Sequence, residues 1–252
     1  MTMLHRRRSL TTALLVCATL LAILVPASQG RAATATPVMK RFSIGTSVQG
    51  RPIYVWHRYL PGATKRVVVI GSIHGDERAG LRVFSRLKKR TPPPNVDLYL
   101  IRTVNPDGTA ADRRTNAHVV DLNRNFPYHW QASSRGTETW SGPSAASEPE
   151  TKAVLRFIRN LDPHLSFVFH QPLDGVGTSD KRPRVARVLA DEAGLPLKDF
   201  ECGSNGCHGT LTMWENARTS GTNLTVEFGP PLVSDYRVWR ATKAVLSVAS
   251  SY

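Results

Sequence analysis

The chain has 252 residues, of which 41% are hydrophobic and 8% aromatic, and it contains 18 Gly and 17 Pro. This composition is typical of an ordered globular protein and argues against a disordered chain, a collagen-like rod or a coiled coil. The formal net charge is +14, so the partner or the surroundings of the protein are expected to be anionic. Three Cys are too few for a scaffold held together by disulfides.

Residues 1–35 are predicted to be a secretory signal peptide with a short leader. An arginine run at 6–8 precedes an uncharged apolar run at 10–25, and small residues follow, which is the pattern of such a signal. The apolar run of about 16 residues is short of the ~20 that a membrane-spanning helix needs, so an uncleaved anchor is the less favoured alternative. We expect a secreted, extracytoplasmic protein without a stable membrane anchor. Cleavage after Ala27 or Ala35, and the Sec or the twin-arginine route, stay open.

The exported part remains strongly basic. Removing residues 1–35 takes away four Arg and no acid, which leaves a formal charge of +10. No aromatic-interleaved basic stripe or nucleic-acid-reading motif occurs, so an anionic cell envelope explains the charge more simply than nucleic acid does. Export also permits disulfides, and Cys202 and Cys207 bracket a short loop that predicts a bridge, with two free thiols as the alternative.

Strands and helices are predicted to alternate through residues 36–252, which we expect to form a single domain. In chain order the sequence predicts a hairpin at 41–59, a buried strand at 66–73, a helix at 77–90, a strand at 96–104, a long polar loop at 105–143, a capping-box helix at 147–160, a strand at 165–170, a helix at 185–193, a strand at 224–228 and a helix at 235–250. The alternation predicts an α/β fold, a three-layer α/β/α sandwich around a mixed, mostly parallel central sheet.

Polar residues follow three of the buried strands. His74 and Glu77 come after the first strand, His170 ends a later strand, and Glu227 ends the last one. Ligands collect beyond the carboxyl ends of the strands in open α/β sheets, so we expect these four side chains to converge. Two histidines and a carboxylate suit a catalytic zinc, and the spacing of His74 and Glu77 predicts one side of a helical turn.

These four residues differ in how strongly each one, taken alone, indicates a functional site. A His three residues before a Glu is frequent by chance, so a surface pair is the simpler explanation for His74 and Glu77 taken alone. His170 taken alone would be a buried, hydrogen-bonded strand-end histidine. Glu227 stands out, because a carboxylate inside the apolar run LTVEFG is costly unless it is paired, liganded or functional.

The polar loop adds motifs that carry a family resemblance. It contains NPDG at 105–108, an RRTN segment at 113–116 and DLNRNFP at 121–127. With HGDE at 74–77, these motifs resemble the zinc carboxypeptidase family, in particular its small bacterial branch of murein peptide amidases. The resemblance runs in order from about residue 42 to residue 230.

The resemblance implies a role for each candidate residue. It implies that one zinc ion is bound by His74, Glu77 and His170. It also implies that Glu227 is the general base that activates the attacking water and returns the proton to the leaving amine.

The same resemblance assigns the arginines of the loop. It implies that Arg114 polarises the scissile carbonyl, with the neighbouring Arg113 as the alternative residue for this role. It also implies that Asn123 and Arg124 hold the terminal carboxylate of the substrate. A planar guanidinium suits both tasks. Asp121 is expected to support the loop or a metal ligand rather than to act on substrate.

Two departures from the family pattern concern the loop and the specificity pocket. Val119 stands where relatives have Gly before Val-Asp, so the loop is expected to turn differently. The Tyr that digestive members place over the substrate has no visible counterpart, and the specificity residue stays unassigned. Asp174 or the loop at 202–208 could shape the pocket, whereas His129 and His208 are expected at the surface.

The sequence thus predicts a secreted, monomeric zinc peptidase that hydrolyses an amide bond next to a free carboxylate, with peptidoglycan-derived peptides as substrates. One alternative is a zinc deacylase of N-acyl amino acids on the same fold. Another is a non-catalytic envelope-binding module, against which stands the presence of every metal and base residue. A serine hydrolase is disfavoured because no G-x-S-x-G motif occurs.

Overall fold

The computed structural model describes residues 36–178, 181–200, 207–230 and 232–252. The predicted signal peptide and Cys202 therefore lie outside the described residues, although Cys207 is disulfide-bonded. None of the described helices is long and apolar enough to span a membrane.

Eight strands of the described residues form one sheet in the order β1-β2-β4-β3-β5-β8-β6-β7. Their bounds are β1 Val38–Thr46, β2 Pro52–Tyr59, β3 Lys65–Ile70, β4 Val96–Ile101, β5 Leu165–His170, β6 Gly175–Gly177, β7 Leu197–Lys198 and β8 Thr222–Glu227. The four central strands β4, β3, β5 and β8 are parallel. Antiparallel pairing joins β1 to β2, β2 to β4 and β6 to β8, whereas β6 and β7 are parallel. The mixed, mostly parallel centre agrees with the sequence prediction.

Helices cover both faces of the sheet. The helices are α1 Ala79–Leu87, α2 Pro106–Ala111, α3 Pro149–Leu161, α4 Pro183–Ala193, α5 Leu211–Arg218 and α6 Asp235–Ser251, and a 3-10 turn spans Leu122–Arg124. The hydrophobic core on one face contains residues of α1, α4 and α6, and the core on the other contains residues of α3 and α5. Strand β3 shows why two layers are needed, because Val67 and Val69 are buried on one side and Val68 and Ile70 on the other. The α/β sandwich is confirmed.

Two local predictions are wrong. His74 and Glu77 lie in a turn after β3 and before α1, so a helical spacing does not bring them together. The capping box before α3 does not form, because Glu148 is the N-cap residue and makes no side-chain cap. Pro149 at the first position starts that helix instead, since its fixed φ suits the first turn. Strands β6 and β7 and helices α2 and α5 lack strong periodicity and were not predicted.

Candidate active site

Three parallel strands place four of the candidate residues at one edge of the sheet. Strand β3 leads into the turn that carries His74 and Glu77, and β5 and β8 end at His170 and Glu227. The register of β5 and β8 places His170 directly opposite Glu227. Because the carboxyl ends of parallel strands share one edge, four residues far apart in sequence become neighbours.

The turn after β3 is held by the NPDG segment. A Cβ at Gly75 would lie 2.0 Å from the carbonyl carbon of Gly108, so only glycine permits this backbone approach. The Asn105 side chain caps α2 by accepting from the amide of Gly108 at 2.8 Å. The same side chain donates to the carbonyl of Arg114 over 3.1 Å, and so does the amide of Gly75 over 3.3 Å. The motif therefore positions the backbone of Arg114 beside the turn.

The structure brings the three predicted metal ligands together. His74 Nδ1 is 2.6 Å from Glu77 Oε1, and His170 Nδ1 is 3.0 Å from Glu77 Oε2. All three side chains are buried, and their donor atoms lie within 4.8 Å of one another. Two imidazole nitrogens and one carboxylate form a normal donor set for zinc, with a fourth position left to water or substrate. No second group of this kind occurs among the described residues.

The electrostatics of the cluster favour a cation. Burial works to lower the pKa of His74, but the carboxylates of Glu77 and Asp121 raise it to about 9. Burial works to raise the pKa of Glu77, but His74 and His170 lower it to about 2. Without a metal ion, the raised pKa of His74 therefore favours its protonated form beside the carboxylate of Glu77. A divalent cation would take the place of that proton.

Asp121 links the metal-ligand cluster to the loop arginine. Its side chain is inaccessible to solvent, and its Oδ1 lies 3.1 Å from His74 Nε2. Arg114 donates to Oδ2 from Nη2 at 2.9 Å and from Nε at 3.2 Å. These positive neighbours hold the pKa of Asp121 far below its usual range even though burial opposes ionisation. A carboxylate on the second ring nitrogen of a ligating histidine fixes the orientation and tautomer of the ring.

Arg114, rather than Arg113, faces the metal-ligand cluster. Arg114 Nη1 lies 3.7 Å from Glu77 Oε1, and the side chain lines the same cavity. Arg113 instead donates to the carbonyl of Asn116 at 2.6 Å. A guanidinium in this position can donate to negative charge that develops on a substrate carbonyl.

Asn123 and Arg124 stand in the 3-10 turn after Asp121. The amide oxygen of Asn123 accepts from the backbone N–H of Leu211 at 3.0 Å, the first residue of α5. Its Nδ2 has no partner among the described residues and belongs to a side chain that lines the cavity. Burial lowers the pKa of Arg124, and neighbouring Arg114 lowers it further. An anionic ligand would stabilise the guanidinium groups of Arg114 and Arg124. The two side chains can therefore bind an anionic group.

Glu227 lies close to the metal-ligand cluster without belonging to it. The side chain is 7% exposed, and Oε2 accepts from the backbone N–H of Leu173 at 3.2 Å. Burial raises the pKa of Glu227, and although His170 lowers it, the carboxylate of Glu77 also raises it. A buried carboxylate with a raised pKa is suited to accept and return a proton.

All of the predicted site residues line one cavity of about 680 Å³. They are His74, Glu77, Arg114, Asn123, Arg124, His170 and Glu227. The individual roles stay predictions, but the convergence of these side chains is a property of the fold.

Sequence reasoning missed part of the cavity lining. That part contains Thr178, Asp199, Phe200, Thr210, Thr212, Met213 and Thr225. Only Thr225 had a usable signal, because it stands two residues before Glu227 and so shares its face of the strand. The other residues come from the position after β6, the segment after β7 and the start of α5, whose sequences do not reveal that they meet.

Of the remaining candidates, the loop at 202–208 contributes Cys207 to the cavity lining, and the others occupy other positions. Asp174 pairs with Arg237 at 2.6 Å and does not belong to the described cavity lining. His129 is exposed and packs against Tyr128, and His208 is absent from the described lining. Val119 has a φ of 65°, so the turn has a left-handed conformation at a residue other than glycine. That conformation costs a non-glycine residue about 1–2 kcal/mol.

Comparisons with known proteins give the same family as the geometry suggests. The sequence profile of the zinc carboxypeptidases matches residues 93–176. Murein peptide amidase A of Escherichia coli K12 is 30% identical over 165 residues, which cover 61% of this chain and 67% of that protein. The chain belongs to the zinc carboxypeptidase family. It is therefore a hydrolase of peptide bonds, and the family implies zinc as the ion for the His74, Glu77 and His170 cluster.

Other members of the zinc carboxypeptidase family match over greater lengths. Murein peptide amidase A of Vibrio campbellii is 28% identical over 89% of this chain and 92% of that protein. The crystal structure of murein-tripeptide amidase from Escherichia coli O157 is 26% identical, with a TM-score of 0.67 over 84% of this chain and 92% of that chain. Carboxypeptidase A of Helicoverpa armigera superposes with a TM-score of 0.71 over 85% of this chain and 69% of that chain. Its 19% identity shows the fold alone.

Proposed function

We propose that this zinc carboxypeptidase-family chain is an extracytoplasmic peptidase that hydrolyses an amide bond next to a free carboxylate in cell-wall peptides. The observation that carries the proposal is the single cavity, which collects a zinc donor set, a buried base and two arginines. The relatives named murein peptide amidase support cell-wall peptides as the substrate class. The signal-like N-terminus and the net charge of +10 that remains without it support a site of action in an anionic envelope.

The side chains of the cavity divide the reaction between them. Asn123 and Arg124 bind the free carboxylate of the substrate and thereby fix the position of the scissile amide. Arg114 donates to the carbonyl oxygen, where negative charge develops as water attacks. When bound, zinc supplies Lewis-acid polarisation of the carbonyl and of the attacking water.

Glu227 moves the proton. Its raised pKa makes it a stronger base than an exposed carboxylate. The backbone N–H of Leu173 holds Oε2, which leaves Oε1 to take the proton from the attacking water. The same carboxyl then delivers that proton to the leaving amine, so the base is regenerated.

The test is a digest of defined muropeptides with the zinc-loaded protein, read by mass spectrometry, beside the variant Glu227→Gln. We expect the wild type to release a residue or peptide with a free carboxylate. The variant should keep zinc, because Glu227 is outside the ligand cluster, while its turnover falls about 10²–10⁴-fold. Normal turnover by the variant would refute the assignment of the base. Hydrolysis of N-acyl amino acids in place of muropeptides would refute the substrate class.

A further inference from the structure

Two helices on one face of the sheet carry only positive charge on their exposed sides. The single acidic residue of α3 is Glu150 and that of α5 is Glu215, and both are inaccessible to solvent. The same helices have four cationic side chains, all of them exposed: Lys152, Arg156, Arg159 and Arg218. We call these four side chains the α3–α5 basic patch.

The patch runs along α3 and continues onto α5. Lys152, Arg156 and Arg159 follow one another at intervals of four and three residues, so they lie on one side of α3 over about 10 Å. The guanidinium group of Arg159 lies over the ring of Trp214 at 5.4 Å, which shows that α5 adjoins this side of α3. Arg218 follows Trp214 by one helical turn.

Uncharged groups hold the four cations in place without neutralising them. Lys152 and Arg156 donate to backbone carbonyls over 2.9 Å and 3.3 Å. Arg159 and Arg218 lie over aromatic rings at 5.4 Å and 5.5 Å. None of the four forms an ion pair with a described residue. The positive charge therefore stays available to a partner, and ordered side chains lose less entropy when they bind one.

The helices on the opposite face of the sheet mix their cations with exposed acids. Arg82 and Arg86 of α1 both pair with Asp235 of α6. Helix α4 exposes Asp191 and Glu192 in its last turn. An anionic partner thus meets less repulsion on the α3–α5 basic patch than on the opposite face.

The composition of the patch favours a linear phosphate polymer as the partner. Three of its four cations are arginines, whose forked N–H donors match the oxygens of a phosphate group. A bilayer would be held by exposed large apolar side chains, and those of the described residues all lie outside α3 and α5. A single-stranded nucleic acid would stack its bases on free aromatic faces, but the ring of Trp214 is buried and Arg218 lies over that of Tyr128.

We propose that the α3–α5 basic patch binds a polymer of the cell envelope that carries a phosphate group in each repeating unit, such as poly(glycerol phosphate). The origin of this partner rests on the extracytoplasmic site of action in the proposed function, whereas the binding itself needs neither zinc nor hydrolysis. A protein bound in this way stays at the wall that contains its substrate.

The test measures the affinity of the purified protein for fluorescently labelled poly(glycerol phosphate) by fluorescence anisotropy. The patch variant combines Lys152→Gln, Arg156→Gln and Arg159→Gln, which remove three charges but keep helix-forming side chains. We expect its affinity to fall about 10-fold, because each exposed charge contact contributes modestly. Arg218→Gln alone should lower the affinity about 3-fold, which tests the patch on α5 without altering α3.

A matched control removes the same charge from the opposite face of the sheet. It combines Arg184→Gln, Arg187→Gln and Lys243→Gln, and all three of these side chains are exposed. Lys243 lies over a tryptophan ring at 4.7 Å, as Arg159 does at 5.4 Å, so both triple variants also lose one such contact. The control should weaken binding about 2-fold or less, through net charge alone.

Salt and competing ligands identify the chemistry of the partner. Wild-type affinity should fall about 10-fold or more between roughly 50 mM and 200 mM salt, and the patch variant should show a shallower dependence. Poly-glutamate, single-stranded DNA and vesicles that contain phosphatidylglycerol should each bind more weakly than poly(glycerol phosphate). Tighter binding of any of these three would refute the phosphate polymer as the partner. Equal losses in the patch variant and the control would refute the patch as the binding surface.

Failure of the proposed function is recognised separately in an assay on soluble muropeptides that carry no polymer. The patch variant should hydrolyse these at the wild-type rate, because its substitutions lie outside the cavity. If the wild type binds poly(glycerol phosphate) but cleaves no muropeptide, the proposed function is wrong and the docking surface stands.

Discussion

Replacing Asp121 by Asn tests the link between the metal-ligand cluster and the loop arginine. The substitution keeps the size of the side chain but replaces one carboxylate oxygen by an NH₂ group. One oxygen of Asp121 faces Nε2 of His74 and accepts from the N–H of Asn123, and the other accepts twice from Arg114. In either orientation, the new NH₂ group therefore faces donors.

The expected losses follow from these contacts. Removing one partner of a buried ion pair costs about 3–5 kcal/mol, and the lower end applies because the Arg114 side chain is 24% exposed. We therefore expect the metal-free Asp121→Asn variant to be less stable to unfolding by about 3 kcal/mol. Zinc affinity should fall about 10–100-fold, because the ring of His74 loses its charged partner.

Two assays measure these losses separately. Urea unfolding of the metal-free protein gives the free energy of unfolding, and competition with a chromogenic chelator gives the zinc affinity. The matched control is Asp112→Asn, which breaks the exposed ion pair of Asp112 with Arg78. Because that pair faces solvent, the control should change stability by about 0.5 kcal/mol and leave zinc affinity unaltered. If Asp121→Asn behaves like this control in both assays, Asp121 does not couple Arg114 to the ligand cluster.

Two further predictions concern residues outside the metal-ligand cluster. Burial raises the pKa of Glu215 to about 7, so the stability that its protonated form contributes is fully present below about pH 4.5 and is lost as pH rises through 7. Relative to Glu215→Gln, the wild type should lose about 3 kcal/mol between pH 4.5 and 8 in urea unfolding, and parallel pH curves would contradict this. Gly209→Ala should lower stability by about 1–3 kcal/mol and reduce peptidase turnover, because Gly209 has a φ of 59° and a Cβ there would lie 2.4 Å from the carbonyl oxygen of Arg124. Unchanged turnover in a folded Gly209→Ala variant would show that Arg124 tolerates displacement.

The sequence by itself determined the fold class and predicted the residues that converge in the cavity. Residues 67–70 of strand β3 are a continuous run of β-branched residues, which predicts a central strand covered on both faces, and the structure confirms this position. Glu227 was recognisable because an acid inside a buried strand is costly unless it has a function. The motifs at residues 74–77, 113–116 and 121–127 also marked two of the ligands and the loop arginines through the family resemblance, because each motif is a short, contiguous segment.

Only the tertiary structure decided which residues of different segments meet. His74 and Glu77 come together in a turn whose Gly75 packs closely against the backbone of Gly108. The helical periodicity of the sequence does not predict that turn. The choice between Arg113 and Arg114 depends on the contact of Arg114 with Glu77, which joins two distant segments of the chain.

The part of the cavity lining that the sequence did not predict depends on the fold to an even greater extent. Short strands and a weakly amphipathic helix bring Asp199, Thr212 and Thr225 together, and their sequence spacing carries no trace of it. Periodicity reports how one segment faces the core, whereas contacts between segments exist only once the chain has folded.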